Sequence, residues 1–277
     1  MRSNINLEDG EHCVIKIGGS VLYSDEAYAY QAKRIIDYSK SRYIERIYVV
    51  LSARKGHTDE LANSLCNTTD ERESLRRLLK QGDYSNSEDV KRFDCHYVAS
   101  YLLSGEIAST LRFEKELRKA GIYPERLVQG VNFPITANGR YLHADVDFEA
   151  CDTSILDNLE SKIVLVPGFG AQNHHKEKVL LGRNASDYVA ALIGRLDHRV
   201  REVIYLKDVD GVYENFGTEQ ARFIPEIKSA ELLARGCGKV LDARCLENMN
   251  GYKIRVQNCK SEIGKGGTII LHDEVLV

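Results

Sequence analysis

The sequence of 277 residues lacks several features that would place the protein in a special class. It has no run of eighteen apolar residues, so no membrane span is expected. Its first residues, MRSNINLEDGEHC, lack the apolar core of a secretory signal. The formal net charge of −3 is small and negative, which argues against a nucleic-acid surface. A globular, soluble protein without nucleic-acid or membrane partners is therefore expected.

The cysteines lack the spacing of a metal or redox motif. Seven are scattered along the chain, their number is odd, and no two form a CxxC pair. This pattern favours reduced thiols in a cytoplasmic protein, where most cysteines are small packing residues. Two histidines are adjacent in the segment NHHK at 173–176, and adjacent side chains on a strand point in different directions. We therefore expect an exposed hairpin there rather than a metal site.

Short apolar runs alternate with helical patterns along most of the chain. The charged segment from about 57 to 95 is predicted to be helical and to lie on the surface. Alternation of this kind predicts an α/β fold with a doubly wound, parallel sheet. No repeat or low-complexity linker divides the chain, and a soft boundary between two lobes is expected near 170–180. Strands are predicted at 12–17, 46–52, 162–172, 202–213, 253–258 and 267–272, and helices at 27–42, 105–121, 186–196, 229–236 and 241–250.

The first predicted strand ends in KIGGS, which contains Lys16, Gly18, Gly19 and Ser20. Glycines at the end of a strand let backbone N–H groups approach an anion, because no Cβ blocks the way. Lys16 would add a positive charge beside the same phosphate. The glycines also suit a simple tight turn, and the GxxxxGK[ST] spacing of a Walker loop is absent. Phosphate binding and a structural turn both remain open for this segment.

Glu106 follows Ser104 and Gly105 at the predicted start of a helix. A serine cap with an acid in the first turn suits the helix dipole, so a structural role is one interpretation. The other is that Glu106 faces a cationic group of a ligand, such as an α-amino group. Arg183 and Asp187 raise a similar question, because they crowd a glycine just before an apolar run.

Two later segments place charged residues beside glycine. DVDGVY puts Asp208, Asp210 and Gly211 after a strand, where small acidic residues serve either the turn itself or a nucleotide with its metal. GCGKVL contains Lys239, whose simplest interpretation is a surface lysine.

Together and in this order, these segments resemble the aspartokinase branch of the amino-acid kinase family. VIKIGGSVL is similar to the family's opening strand and phosphate loop, VVLSARKGHTDEL to its second strand and serine-bearing loop, and SGE to the start of its acceptor-binding helix. GRNASDYVAAL is similar to the GRGGSD element, and LKDVDGVY to the nucleotide motif TDVDGVY. ARFIPEIKSAELLARGCGKVL and KIRVQN continue the resemblance, which runs from about 12 to 271.

The resemblance implies an ATP-dependent kinase that phosphorylates the side-chain carboxylate of an amino acid, converting L-aspartate to 4-phospho-L-aspartate. It implies a three-layer αβα sandwich with a mainly parallel sheet, in a single domain at 1–277. An acceptor-binding N-lobe at 1–175 and a nucleotide-binding C-lobe at 176–277 would share the work. ATP, Mg²⁺, a homodimer and a role in amino-acid biosynthesis belong to the same expectation.

The resemblance also implies a role for each motif residue. Lys16 and Lys239 would neutralise charge on the phosphates, and Asp187 would hold the lysines in place, so these three are the predicted catalytic residues. The predicted nucleotide-binding residues are Gly18, Gly19, Ser20, Lys207, Asp208, Asp210, Gly211, Tyr213 and Lys239.

The implied acceptor site takes both charges of an α-amino acid. Glu106 would bind the α-amino group, and Arg183 would bind the α-carboxylate through its planar guanidinium. Ser52 and Ser186 would add shorter hydrogen bonds.

The chain departs from the family pattern at several places. Asn184 and Ala185 replace the paired glycines of GRGGSD, and Arg54 and Lys55 bring charge to the acceptor loop. A DPR segment is missing after DGVY, and DA at 242–243 replaces HP. These departures concern the acceptor more than the reaction. A kinase for a different small carboxylate or phosphonate, and a non-catalytic binding protein of the same fold, are therefore the alternatives. Because the chain stops soon after the last kinase strand, ACT domains and inhibition through them by lysine or threonine are not expected.

Overall fold

The computed structural model describes residues 10–40, 43–82, 84, 87–236 and 240–273. No helix within these ranges is long and apolar enough to cross a membrane. The strands are β1 (Glu11–Ile17), β2 (Ile44–Leu51), β3 (Glu125–Arg126), β4 (Ile163–Pro167), β5 (Gly170–Gln172), β6 (Lys178–Leu180), β7 (Val200–Lys207), β8 (Val212–Glu214), β9 (Arg222–Ile224), β10 (Glu226–Lys228), β11 (Lys253–Asn258) and β12 (Thr268–Leu271). The helices are α1 (Asp25–Ser39), α2 (His57–Ser64), α3 (Thr69–Gln81), α4 (Ser87–Lys91), α5 (Cys95–Lys119), α6 (Ser154–Asp157), α7 (Ala185–Leu196), α8 (Ser229–Arg235) and α9 (Ala243–Glu247).

Eight strands form the central sheet in the order β10-β12-β11-β7-β1-β2-β4-β3. Every neighbouring pair in it is parallel except β11 and β12. The α/β fold with a mainly parallel sheet is therefore confirmed. The first four strands of the chain occupy one half of the sheet, and the later strands occupy the other half. The assignment of separate acceptor and nucleotide lobes to these halves stays a prediction.

Side chains of the central strands alternate between two apolar cores, one on each face of the sheet. On β1, Val14 packs into the same core as Leu192 of α7, whereas Ile15 packs into the core that contains Tyr28 of α1. All four side chains are buried. Burial of a side chain of this size contributes about 1.5–3 kcal/mol, so both faces hold their helices firmly. Helices therefore cover both faces, and the three-layer sandwich is also confirmed.

The long helix α5 begins well before the predicted residue 105. Its N-cap is Asp94, whose side chain accepts a hydrogen bond of 3.0 Å from the backbone N–H of Tyr97. Buried Val98 and Leu102 continue the apolar stripe toward this cap, and that stripe extends the helix into the charged segment. The predicted serine cap is therefore wrong, because Ser104 lies inside the helix. The predicted end is close, since the helix stops at Lys119, just before Gly121.

The predicted strand at 162–172 is interrupted. β4 ends at Pro167, Phe169 has a left-handed φ of 72°, and β5 begins at Gly170. β5 then pairs with β6 in an antiparallel hairpin. His174 is exposed in the connection between them, so the expected exposed hairpin is confirmed.

Four parallel neighbours, β7, β1, β2 and β4, end at the same edge of the sheet. The chain runs from β1 to β2 in one direction along the sheet and later adds β7 on the other side of β1. In open α/β sheets such a reversal leaves a crevice at the carboxyl ends of the strands, where ligands bind. A ligand site is therefore expected among the loops that follow these four strands.

Candidate active site

A cleft of about 870 Å³ opens at this carboxyl edge of the sheet. Loops that follow β1, β2, β4 and β6 meet there. The predicted site residues that line it are Lys16, Gly19, Ser52, Glu106, Arg183, Ser186, Asp187 and Lys207.

Asp187 holds two lysines in this cleft. Its Oδ1 lies 2.5 Å from Nζ of Lys16, and its Oδ2 accepts a hydrogen bond of 2.6 Å from Nζ of Lys207. Lys16 stands near the end of β1, Lys207 ends the neighbouring β7, and Asp187 lies in the first turn of α7. The side chains of Lys16, Lys207 and Asp187 are only 7%, 15% and 9% exposed. The fold thus builds an almost buried cluster in which two cations share one carboxylate.

Burial and charge compete in this cluster. Burial acts to raise the pKa of Asp187, but Lys16 and Lys207 outweigh it, and the pKa lies below its usual value. Burial lowers the pKa of Lys16, and the neighbouring carboxylate of Asp187 opposes that change. Two ammonium groups on one carboxylate leave an excess positive charge and free N–H donors. A phosphoryl group is the kind of ligand that such a cluster attracts.

Gly19 is required by close packing beside the cleft. A Cβ at this position would lie 2.2 Å from the carbonyl oxygen of Ala53, and the backbone N–H of Lys55 donates to the carbonyl of Gly19 at 3.1 Å. Gly18 has more room, because the nearest atom to its Cβ position is 3.7 Å away. Neither Gly18 nor Ser20 lines the cleft. The GGS turn thus ties the loop after β1 to the loop after β2, and its nucleotide contacts stay a prediction.

Glu106 places a buried, unpartnered carboxylate oxygen in the cleft. The residue is 3% exposed, its Oε1 accepts a hydrogen bond of 3.3 Å from the backbone N–H of Ala53, and its Oε2 has no hydrogen-bond partner among the described residues. Burial raises the pKa of Glu106 to about 8, although the Ala53 N–H and the charge of Lys16 act against the change. A buried polar atom without a partner costs folding free energy. A cationic group of a ligand would supply the missing partner.

Arg183 contacts a carboxylate of the protein itself. Its Nη1 donates a hydrogen bond of 2.7 Å to Oδ1 of Asp59 in the first turn of α2. The side chains of Arg183 and Asp59 are 38% and 61% exposed. Ser52 and Ser186 are buried and line the same cleft. The residues predicted to bind an amino-acid acceptor therefore lie around one cavity.

The departure from the family's paired glycines leaves the backbone turn intact. Asn184 has φ 62° and ψ 12°, in the left-handed region, and it directly precedes α7. Asparagine enters this region more readily than most residues that have a Cβ. The side chain of Asn184 lines the cleft, whereas Ala185 is fully buried in the core. Of the two replacements, only Asn184 therefore changes the surface that meets a ligand.

A second cavity, of about 700 Å³, meets the cleft at Lys207. Two further predicted nucleotide residues, Asp208 and Tyr213, line it as well. Six other lining residues are apolar or aromatic and were not predicted: Val209, Val212, Phe216, Ile224, Leu232 and Val240. The rest of the polar lining comes from Glu214, Asn215 and Arg235. A cavity with apolar side chains beside a lysine cluster suits a nucleotide, whose base would lie in the cavity and whose phosphates would lie at the lysines.

The structure keeps some predicted residues away from both cavities. Asp210 and Gly211 line neither, and Oδ1 of Asp210 accepts a hydrogen bond of 2.8 Å from the side-chain amide of Asn258. Gly211 packs tightly, because a Cβ there would lie 2.5 Å from Oγ1 of Thr268. These observations favour the structural interpretation of this part of DVDGVY. Lys239 lies outside the described residues, so the second lysine seen on Asp187 is Lys207.

Several cleft residues were missing from the predicted set. Thr58, Asp59 and Phe169 line the cavity, although no sequence pattern distinguishes them. Arg54 and Lys55 also line it, as expected from their place in the acceptor loop. Thr58 and Asp59 stand in the first turn of α2, and the segment VVLSARKGHTDEL, which also contains Ser52, is the signal in the sequence that could have included them.

Comparison with known proteins shows which family the chain resembles. A model of the amino acid kinase family matches residues 11–276. The aspartokinase of Rickettsia prowazekii (strain Madrid E) is 31% identical over 274 residues, which cover 94% of this chain and 55% of the relative. Bifunctional aspartokinase/homoserine dehydrogenase 2 of Escherichia coli (strain K12) is 26% identical over 296 residues, which cover 92% of this chain and 35% of the relative. The chain thus spans about half or less of the length of these relatives.

Solved structures show the same fold. E. coli aspartokinase III in complex with aspartate and ADP matches with a TM-score of 0.73 and 23% identity, over 95% of this chain and 65% of that chain. An isopentenyl phosphate kinase matches with a TM-score of 0.64 and 16% identity, over 94% of this chain and 100% of that chain. With the family match over nearly its whole length, the chain belongs to the amino acid kinase family.

Proposed function

We propose that this chain is an ATP-dependent kinase that phosphorylates the side-chain carboxylate of an amino acid, with L-aspartate as acceptor and 4-phospho-L-aspartate as product. The observation that carries the proposal is the shared cleft, which contains the Lys16–Asp187–Lys207 cluster and the buried carboxylate of Glu106. Oε2 of this carboxylate has no hydrogen-bond partner among the described residues. Curated relatives that align with most of this chain are aspartokinases, which supports aspartate as the first acceptor to test.

The charges of the cleft fit an α-amino acid. Oε2 of Glu106 accepts no hydrogen bond from the part of the chain that the structure describes, and it would receive the α-ammonium group. Arg183 would bind the α-carboxylate, because its planar guanidinium offers two parallel N–H donors. Ser52 and Ser186 would add hydrogen bonds. An acceptor without an amino group would leave the Glu106 carboxylate buried and unpaired, so it would bind less well.

The second cavity would take the adenosine part of ATP. Val212, Phe216 and Leu232 give it an apolar lining that suits a flat base. Because Lys207 belongs to both cavities, the phosphates would pass beside it toward Lys16. This arrangement would bring the γ-phosphoryl group to the acceptor carboxylate.

The residues also fit a Mg²⁺ ion that enters with the nucleotide. Within the described ranges, no group of three or more His, Cys, Asp or Glu side chains could hold a metal by itself. Mg²⁺ commonly keeps several waters and binds substrate phosphates with one or two carboxylates, and Asp208 in the second cavity is a carboxylate available to it. When bound, the ion would neutralise negative charge on the phosphates.

The transfer step requires charge neutralisation more than proton transfer. An oxygen of the acceptor carboxylate attacks the γ-phosphorus, a new O–P bond forms, and the bond to the β–γ bridging oxygen breaks to release ADP. The attacking group is already ionised, so no general base is needed. Lys16 would stabilise charge on the transferring group, and Asp187 would position Lys16 and favour its protonated form.

A kinase for a different small carboxylate or phosphonate, and a binding protein without catalysis, are the alternatives. A homodimer and a cytoplasmic location stay predictions from the sequence. ADP release can be measured with ATP, Mg²⁺ and a panel of acceptors that contains L-aspartate, L-glutamate, succinate and a phosphonate analogue of aspartate. The proposal predicts the highest kcat/KM with L-aspartate. Preference for an acceptor without an α-amino group would refute it.

A further inference from the structure

Asp59 accepts a hydrogen bond from the guanidinium group of Arg183, which the acceptor is expected to use. Within the described part of the chain, the ion pair of Arg183 is with Asp59, at 2.7 Å. The two residues are 124 positions apart in the sequence, so the tertiary fold brings them together. Both line the catalytic cleft. A carboxylate of the protein therefore stands where an acceptor carboxylate would bind.

We propose that Asp59 is a built-in competitor for Arg183, which the α-carboxylate of the acceptor must displace. The inference rests on the proposed function, because it takes Arg183 to be the carboxylate-binding residue. Exchange of one carboxylate for another preserves the charge pairing of Arg183. Asp59 thereby raises the acceptor concentration that is needed to fill the site.

Displacement of Asp59 costs little, for reasons visible in its surroundings. Its side chain is 61% exposed, so water can solvate the released carboxylate. It also lies in the first turn of α2, where the helix dipole stabilises a negative charge without Arg183. Ion pairs as exposed as this one contribute only about 0–1 kcal/mol. An acceptor carboxylate can therefore displace Asp59 from Arg183 at a small cost in free energy.

The helix that carries Asp59 is suited to a small movement. None of the residues of α2 is buried, and its N-cap, Gly56, offers no side chain to cap the helix. Its apolar residues Leu61 and Ala62 are only partly buried against the core. A helix without a fully buried side chain is suited to a small adjustment on binding.

The released carboxylate has other cations to meet. Asp59 and Arg183 also line a neighbouring cavity of about 430 Å³, to which α3 contributes two cations, Arg72 and Arg76, and one carboxylate, Glu73. Neither of these arginines forms an ion pair with a residue of the described ranges, whereas the adjacent Arg77 is paired with Asp89. Like charges four residues apart on a helix repel each other, so a carboxylate that moves toward the two arginines would reduce this repulsion.

The test compares Asp59→Asn and Asp59→Ala with wild type, with Glu60→Gln as the matched control on the same helix. Glu60 is exposed and lies outside the catalytic cleft. Both Asp59 variants should lower the KM for L-aspartate about two- to fivefold, the fold-change that an exposed ion pair allows, and leave the KM for ATP unchanged. Glu60→Gln should match wild type. An unchanged or higher KM for aspartate in both Asp59 variants would overturn the proposal.

A double-mutant cycle separates competition from a general effect on the loop. In an Arg183→Ala background, Asp59→Asn should no longer change the KM for aspartate, because the contested guanidinium is gone. The same gain in both backgrounds would also overturn the proposal. If wild type phosphorylates no acceptor, the proposed function fails, and equilibrium binding of L-aspartate then decides for Asp59. Tighter binding in Asp59→Asn supports the competitor role, and equal or weaker binding rejects it.

Discussion

Replacement of Glu106 by glutamine should remove a steep dependence of kcat/KM on pH. Burial raises the pKa of Glu106 to about 8, and its Oε2 has no hydrogen-bond partner among the described residues. Only the ionised carboxylate forms a charge pair with the acceptor's ammonium group. The free enzyme must therefore lose this proton before it binds the acceptor well, and kcat/KM reports the pKa values of the free enzyme.

The size of the effect follows from the pKa. With a pKa of about 8, roughly one Glu106 in a hundred is ionised at pH 6 and about half are ionised at pH 8. The kcat/KM for the acceptor should therefore rise about fiftyfold between these two pH values. A decline at higher pH is expected as Lys16, whose pKa burial lowers, loses its proton.

The assay is steady-state ADP release with varied acceptor and saturating ATP from pH 6 to pH 9. Glu106→Gln should have a low kcat/KM without the rise. The matched control is Glu114→Gln, since Glu114 is a second buried glutamate of α5 that pairs with Arg118 and Arg126 outside the cleft. This control should keep the wild-type profile. A flat profile in wild type, or the same rise in Glu106→Gln, would refute the assigned role.

The same carboxyl group should cost stability at neutral and alkaline pH. Its folded pKa of about 8 lies above the ordinary value of 4.5, so its contribution to folding is fully present below about pH 4.5 and is lost as pH rises toward 8. Without acceptor, Glu106→Gln should be more stable than wild type at pH 8, by on the order of 3–5 kcal/mol. The difference should shrink toward pH 5. Urea unfolding at both pH values measures it.

Substitutions at three further residues test the roles assigned to Lys16, Arg183 and Asp197. Lys16→Ala should keep the circular dichroism of wild type but lower kcat about a hundredfold or more, because it removes a nearly buried cation that faces the transferring group; near-normal turnover would reject this role. Arg183→Ala should raise the KM for the acceptor roughly ten- to hundredfold and leave the KM for ATP nearly unchanged. Arg183→Lys should restore only part of the lost acceptor binding, because lysine lacks the planar guanidinium. An equal rise of both KM values would argue against a carboxylate as the ligand of Arg183. Asp197→Asn should lower the free energy of unfolding by about 3–5 kcal/mol, since buried Asp197 lies 2.5 Å from Nδ1 of His12 and accepts a hydrogen bond from Tyr48; an unchanged urea midpoint would show that this network contributes little.

The sheet could be predicted from the sequence because its signals are local. β1, β2, β7 and β11 are apolar or β-branched runs that end in glycine or polar residues, and α7 is an apolar helix of ordinary length. The start of α5 could not be placed in this way. Ser104 offers a plausible local cap, but the apolar stripe that extends the helix back to Asp94 lies in a segment dominated by charge.

The candidate site divides in the same manner. Lys16, Glu106, Arg183 and Asp187 could be named from motifs that resemble a family, and the fold brings them into one cleft. The sequence did not indicate that Lys207 shares Asp187 with Lys16. The pairing of β7 with β1 brings the two lysines together, and this pairing is a feature of the tertiary structure.

Two further features of the site depend on distant contacts. The engagement of Arg183 by Asp59 joins residues that are far apart in sequence and follow no spacing rule. Glu106 was expected in the first turn of a helix. It lies in the interior of α5 instead, because the helix already begins at Cys95.

The most direct test of the central claim is to trap the product. Wild-type protein is incubated with ATP, Mg²⁺, L-aspartate and hydroxylamine, and the aspartyl hydroxamate is identified by mass spectrometry. The proposed function predicts the β-hydroxamate of aspartate in amounts equal to the ADP formed. Its formation should depend on both substrates and should be about a hundredfold or more slower with Lys16→Ala. ADP formation without any hydroxamate, or a hydroxamate only from acceptors other than amino acids, would contradict it.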